Sequence, residues 1–129
     1  MGAESLLFVY GTLMRGYRLH RLLARRADYL GDGEVPGLLF DLGAYPAALR
    51  GVGGRIRGEV YRLADPELWQ ALDSAEGSQY HRGEVGVRLV SGGQVTAAIY
   101  WYAAPLGGAV PIPGGDYRAH APARSIHHR

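Results

Sequence analysis

Apolar residues along this chain fall mostly into short runs broken by glycine and proline, a pattern of strands more than of long helices. Ser5 to Tyr10 (SLLFVY) reads as a buried strand that stops at Gly11-Thr12. A helical pattern follows: Leu19, Leu22 and Leu23 share one face, Arg18, Arg21, Arg25 and Arg26 cover the rest, and the helix ends before Gly31. From Tyr29 to Leu63 come four strand-like segments, YLGDGEV, PGLLFDLG, YPAALR and IRGEVYRL, which predict a curved antiparallel sheet or barrel. Asp65 as cap, Pro66 in the first turn and Gly77 as stop frame a second helix with Leu68, Trp69 and Leu72 on its apolar face. Beyond it, Val85, Val87 and Leu89 alternate with polar residues, and Ser91-Gly92-Gly93 turns the chain into an antiparallel partner, TAAIYWYA. Pro105 to Gly115 reads as a loop. This succession of strands interrupted by two helices predicts one α+β domain over residues 1–118, with a flexible tail over 119–129.

Composition narrows the chemistry. With 129 residues, 47% hydrophobic and 20% charged, the chain fits a single folded domain and not a disordered one. The absence of cysteine excludes disulfides, thiolate metal sites, iron–sulfur clusters and a cysteine nucleophile. The longest apolar run, Ala97 to Ala104, is far short of the ~20 residues of a membrane span, so no membrane partner is expected. MGAESLLFVYG lacks a basic start and a small-residue cleavage site, so cytoplasmic residence is expected. All 14 basic residues are arginine, but they are spread along the chain against 12 acids, with no arginine-rich tract. Nucleic acid is therefore not an expected partner. The five histidines are scattered, with His127-His128 in the tail, and no metal site is expected. Gly31-Asp32-Gly33 precedes Pro36 where a helix would have to open, so it is a turn and not a dinucleotide fingerprint.

Two segments carry candidate chemistry. In Tyr10-Gly11-Thr12-Leu13-Met14, a glycine after a strand permits a sharp turn whose following amides can face an anion, aided by the positive end of the next helix. A Gly-Thr turn is equally an ordinary structural turn, and the residues alone do not choose. In Leu72-Asp73-Ser74-Ala75-Glu76-Gly77, Glu76 sits at the negative end of the second helix. That place, and burial, would raise its pKa towards that of a neutral-pH general base. The alternative is a solvated glutamate at a helix end.

Taken together, YGTLM after an apolar strand, Tyr45-Pro46-Ala47, LDSAEG about sixty residues after the first motif, Tyr80 with Arg82, the aromatic strand IYWY and the GGDYR close resemble the γ-glutamylcyclotransferase-like family, with its AIG2-like and γ-glutamylamine cyclotransferase members. The resemblance runs from about Leu6 to Arg118. It implies a small, mixed, mostly antiparallel β-barrel flanked by helices, acting on a small-molecule γ-glutamyl substrate. It implies that Tyr10, Gly11, Thr12 and Leu13 hold the α-carboxylate through backbone amides, and that Glu76 is the acid–base residue. Tyr80 is expected to face the pocket, whose other wall is expected from Tyr45 and the Tyr100-Trp101-Tyr102 strand, where alternation puts Tyr100 and Tyr102 on one face and Tyr102 is taken as the binding residue. Arg82 is expected to be a structural ion-pair partner. Donors to the oxyanion are sought among the Gly11–Leu13 amides and the Tyr80 hydroxyl.

The implied reaction, of lyase or acyltransferase type, cyclises a γ-glutamyl amide to 5-oxoproline with no metal or cofactor, because the substrate's own amine is the nucleophile. The competing expectation is a non-catalytic carboxylate-binding or interaction domain that retains the pocket. The leaving half of the substrate and the oligomeric state are open.

Overall fold

The nine-residue strand Arg55–Leu63 (β5) is buried along most of its length, and Ile56, Val60, Tyr61 and Leu63 lie in the main core. A computed structural model of the chain describes residues 5–122. In it β5 pairs antiparallel with Leu6–Val9 (β1) on one side and Ala27–Pro36 (β2) on the other. Leu38–Asp41 (β3) and Pro46–Leu49 (β4) lie between β2 and β5 in the chain, whereas Tyr80–Leu89 (β6) and Gln94–Tyr102 (β7) form the hairpin after it. The sheet order β1-β5-β2-β6-β7 closes into a barrel, since β7 returns to β1 through a parallel contact at Leu7 and Ala98. Closure removes the sheet edges. A second, antiparallel sheet of order β4-β3-β8, with Val110–Pro111 as β8, packs against β7. The architecture is thus α+β, a mixed but mostly antiparallel barrel with few helices.

The helix expected before Gly77 is present as Leu68–Glu76 (α1). The Asp65 carboxylate accepts a hydrogen bond from the Glu67 amide at 2.9 Å, and Leu68 and Leu72 are buried beneath the helix. Its start is one turn tighter than an α-helix, with Leu68 N–H donating to the Asp65 carbonyl. The helix expected around Leu19 to Arg26 does not form. In its place residues 11–26 make linked turns with one short 3-10 helix, His20–Leu22. Gly16 and Arg25 both adopt positive φ, which an α-helix does not tolerate. Leu23 is nevertheless fully buried, and Leu19 and Leu22 pack on the core. The leucine spacing reports burial here and not helical periodicity.

Two elements were not anticipated. The strand β8 lies in the expected Gly/Pro loop, and Tyr117–His120 forms a short helix (α2) capped by Asp116, whose carboxylate accepts from the Ala119 amide at 3.3 Å. The domain's ordered structure therefore runs two residues past Arg118. Of the expected tail, residues 123–129 lie outside the described residues. No helix among the described residues is long and apolar enough to cross a membrane.

Candidate active site

Glu76 is the last residue of α1, and Gly77, at φ 86°, ends the helix behind it. The buried Leu68 and Leu72 fix the helix against the barrel, so the carboxyl is set over the barrel end rather than left in solvent. Burial pushes the Glu76 carboxyl up to about 7, against the opposing pull of the Arg18 guanidinium. A group balanced there exists in both protonation states near neutrality, which general acid–base chemistry requires.

Across a cavity of about 160 Å³ from Glu76 lies the loop that follows β1. Gly11 is required by space and not by its dihedral: a Cβ at this position would sit 2.5 Å from Pro46 Cγ. The loop's carbonyls are all engaged. Gly11 O accepts from Met14 N–H at 3.0 Å, Thr12 O accepts from Leu19 N–H at 2.9 Å, and Leu13 O lies 2.9 Å from His20 Nδ1, which must donate. The N–H groups of Gly11, Thr12 and Leu13 make no hydrogen bond to another described residue. Three free donors beside three committed acceptors leave a local excess of positive potential, as in backbone anion nests. No α-helix follows the loop, so the helix-dipole contribution expected from the sequence is absent.

Hydroxyls line the same space. Tyr10 donates to the Tyr100 carbonyl at 2.6 Å, and Tyr80 donates to the Pro46 carbonyl at 2.7 Å. Both rings border the cavity, and burial, together with the nearby Glu76 charge, pushes both hydroxyls up. Their protons are committed to backbone carbonyls, so the Tyr80 hydroxyl is placed to accept and not to donate to an oxyanion. Tyr45 also borders the cavity and meets Tyr80 edge-on at 6.1 Å.

Tyr102 is the exception among the expected residues. It is buried behind Tyr80, ring centroids 5.1 Å apart, and does not line the cavity. Its strand neighbour Tyr100 does: the expected strand is the right one, but alternation alone makes 100 and 102 equivalent and does not select between them.

Tyr100 also ties the site to α1. Its hydroxyl donates to Asp73 Oδ1 at 2.6 Å, and Asp73 Oδ2 pairs with Arg82 at 3.3 Å. The Arg82 guanidinium stacks 4.5 Å over Trp69, in line with the structural role expected for it. Asp73 is one helical turn before Glu76, so these contacts hold the end of the helix that carries it. Arg18, a lining residue not foreseen, was assigned to a solvated helix face.

The loop is also held from behind. Glu59 on β5 is 3% exposed, and its two oxygens accept from Arg15 N–H (3.1 Å), Arg15 Nε (3.2 Å), Tyr61 Oη (2.9 Å) and Arg118 Nη2 (2.9 Å). A buried carboxylate is tolerated only when paired and hydrogen-bonded in this way. Among the described residues no group of three or more histidine, aspartate or glutamate side chains converges as a metal site.

Known proteins resemble the whole of this arrangement. A Methanocaldococcus jannaschii protein, named provisionally as a gamma-glutamylcyclotransferase, is 28% identical over 116 residues, 86% of this chain and 93% of its own length. YkqA of Bacillus subtilis, of known structure and similarly named, superposes with a TM-score of 0.75 at 31% identity over 91% of this chain. This chain spans only 40% of YkqA. An AIG2-like protein of Mus musculus shares the fold, with a TM-score of 0.77 at 24% identity, covering 98% of this chain and 99% of its own. The model of the family described as gamma-glutamyl cyclotransferase, AIG2-like, matches residues 7–119, from the first barrel strand to the last short helix. With the barrel, the loop after β1 and the helix ending at Glu76 all inside that match, the chain belongs to the gamma-glutamyl cyclotransferase, AIG2-like family.

Proposed function

We propose that the protein cyclises a γ-glutamyl amide to 5-oxoproline and releases the amine or amino acid. The observation that carries this reading is the single cavity shared by a carboxyl balanced near neutrality, Glu76, and the unpartnered amides of Gly11, Thr12 and Leu13. The loop amides hold the substrate α-carboxylate. Glu76 takes a proton from the α-ammonium, and the freed amine attacks the γ-carbonyl carbon. A five-membered ring closes through a tetrahedral oxyanion, Glu76 gives its proton to the departing nitrogen as the original amide C–N bond breaks, and the second proton of the ring nitrogen passes to the Glu76 carboxylate, from which it leaves with the released amine as ammonium. The Tyr10 and Tyr80 hydroxyls, whose own protons face the Tyr100 and Pro46 carbonyls, are left to accept from the substrate ammonium. With both tyrosine protons committed, the loop amides are the donors to the oxyanion.

Most of the rate enhancement in this reading comes from folding the glutamyl chain so that amine and carbonyl meet. Effective molarities of well-oriented intramolecular reactions reach about 10⁵–10⁸ M. A positioned base adds roughly 10²–10⁴-fold. The cavity suits one compact end of a substrate, since its ~160 Å³ is comparable with apolar cavities of about 150 Å³ that accept a benzene ring. A binding-only domain would gain nothing from a carboxyl raised to about 7 beside an anion site. The test is 5-oxoproline release from a panel of γ-glutamyl amides and γ-glutamyl amino acids, with Glu76→Gln as control. Release by the wild-type protein that falls at least a hundredfold in Glu76→Gln supports the reading. Equal release by both proteins overturns it.

A further inference from the structure

Among the described residues Arg18 is the one cation lining the cavity, and the proposed chemistry gives it no task. Its side chain is exposed and makes no hydrogen bond or ion pair with any described residue. The neighbouring arginines differ: Arg15 is bound to Glu59, and Arg118 to Glu59 and to the Arg15 carbonyl. Burial orders the cavity from end to end. Gly11 and Leu13 are buried, Tyr45 and Leu19 are half-buried, and Arg18 stands at the solvent side. Its guanidinium is near enough to Glu76 to act on that carboxyl's charge, yet it does not pair with it.

The cyclase reading, on which this inference rests, fixes the direction in which a substrate lies. The α-carboxylate sits at the buried loop, the α-ammonium faces Glu76, and the departing half extends towards solvent. The α-carboxylate is already served by three amides at the buried end and a cation next to the α-ammonium would repel it, so the exposed Arg18 has no favourable place at the glutamyl head. At the mouth, the group that complements a planar five-donor guanidinium is a carboxylate. We propose that Arg18 selects substrates whose departing half carries a carboxylate, making γ-glutamyl amino acids and peptides the substrate class and disfavouring neutral or cationic γ-glutamylamines.

The test compares two substrates that differ by one group, γ-glutamylglycine and γ-glutamylmethylamide. Wild-type protein is expected to favour γ-glutamylglycine by about tenfold in kcat/KM, mostly through KM, as for a charge-assisted contact realised on binding. Because Arg18 also acts on the charge of Glu76, its replacement shifts the pH profile for both substrates, and their ratio cancels that shared effect. In Arg18→Gln the ratio is expected to fall to about unity, and Arg18→Lys to retain part of it. Added salt should erode the wild-type ratio, because the contact is exposed.

A wild-type ratio near unity overturns the proposal. So does a loss in Arg18→Gln that is equal on both substrates, which would place Arg18 on the glutamyl head instead. Binding of the two compounds to Glu76→Gln protein by calorimetry reads the same preference without turnover. A preference there, with no 5-oxoproline formed by wild-type protein, sinks the cyclase reading and keeps the role of Arg18. No preference there sinks the role of Arg18.

Discussion

Arg118 Nη2 lies 2.9 Å from Glu59 Oε2, joining the last short helix to the middle of β5 across the back of the cavity loop. The same guanidinium donates from Nη1 to the Arg15 carbonyl at 2.9 Å, and Glu59 in turn accepts from the Arg15 backbone and side chain. Three segments remote in sequence thus converge on one buried carboxylate. The segment they restrain begins two residues after Leu13 and includes Arg18.

Glu59→Ala should destabilise the protein by about 1–3 kcal/mol, because it leaves the buried Tyr61 hydroxyl without its acceptor, while the half-exposed Arg15 and Arg118 side chains it releases can turn to solvent. Chemical denaturation measures this directly. Glu59→Gln keeps the shape and one acceptor oxygen and should lose less. If the loop depends on the clamp, Glu59→Gln raises KM more than it lowers kcat.

The pH dependence follows from Glu76. Its folded pKa of about 7 exceeds the ordinary value of 4.5, so the folded state holds an extra proton between those limits. The contribution of this group to stability is full below pH 4.5 and falls as pH rises through about 7. Turnover runs the other way, since the base form must be present: kcat/KM should rise with pH through about 7. Glu76→Gln should remove the stability slope in that window as well as the turnover. Thermal melts at several pH values and 5-oxoproline release over the same range read the two effects separately.

Gly11→Ala should disable the loop. A methyl group there would overlap the Pro46 ring, and one of the two segments must move. A cost of about 1–3 kcal/mol is expected from overpacking. The functional loss should exceed what that instability explains, because displaced amides no longer converge on one anion. Melting temperature and KM measured on the same sample separate the two.

Tyr80→Phe leaves the Pro46 carbonyl without its donor and should cost about 1 kcal/mol. Turnover should fall by less than tenfold, since the phenolic proton is already committed and does not serve the oxyanion. A loss comparable with that of Glu76→Gln would show instead that the hydroxyl leaves Pro46 during the reaction.

Much of the barrel was legible because strand signals are local. The four segments from Tyr29 to Leu63 became β2 to β5, of which β2 and β5 join the barrel while β3 and β4 form the second sheet with β8, and the Gly92-Gly93 turn joins β6 to β7 as expected. The second helix was equally legible, since Asp65 and Gly77 bracket it chemically. The segment from Gly11 to Arg26 was not. Its leucines are spaced as in a helix, but the conformation is set by contacts with Glu59 and Arg118, distant in sequence, and by His20 folding back on the Leu13 carbonyl. Arg18 was lost with it, because a residue assigned to a solvated helix face cannot also be assigned to a cavity. Tyr100 and Tyr102 share a strand face, and only the position of α1, which supplies Asp73 to one and nothing to the other, distinguishes them.

The division of labour between main chain and side chain in the cavity has an evolutionary consequence. In the proposed reaction the anion-holding groups are backbone amides, which survive almost any substitution at Thr12 or Leu13, whereas the proton carrier is the single side chain of Glu76. One codon change at Glu76 would convert a catalyst into a ligand-binding domain with its pocket intact. Restoring the catalyst would take that one change in reverse. On that reading, a sensor and an enzyme built on this barrel would stand one mutation apart, and residue 76 would tell them apart where overall similarity does not.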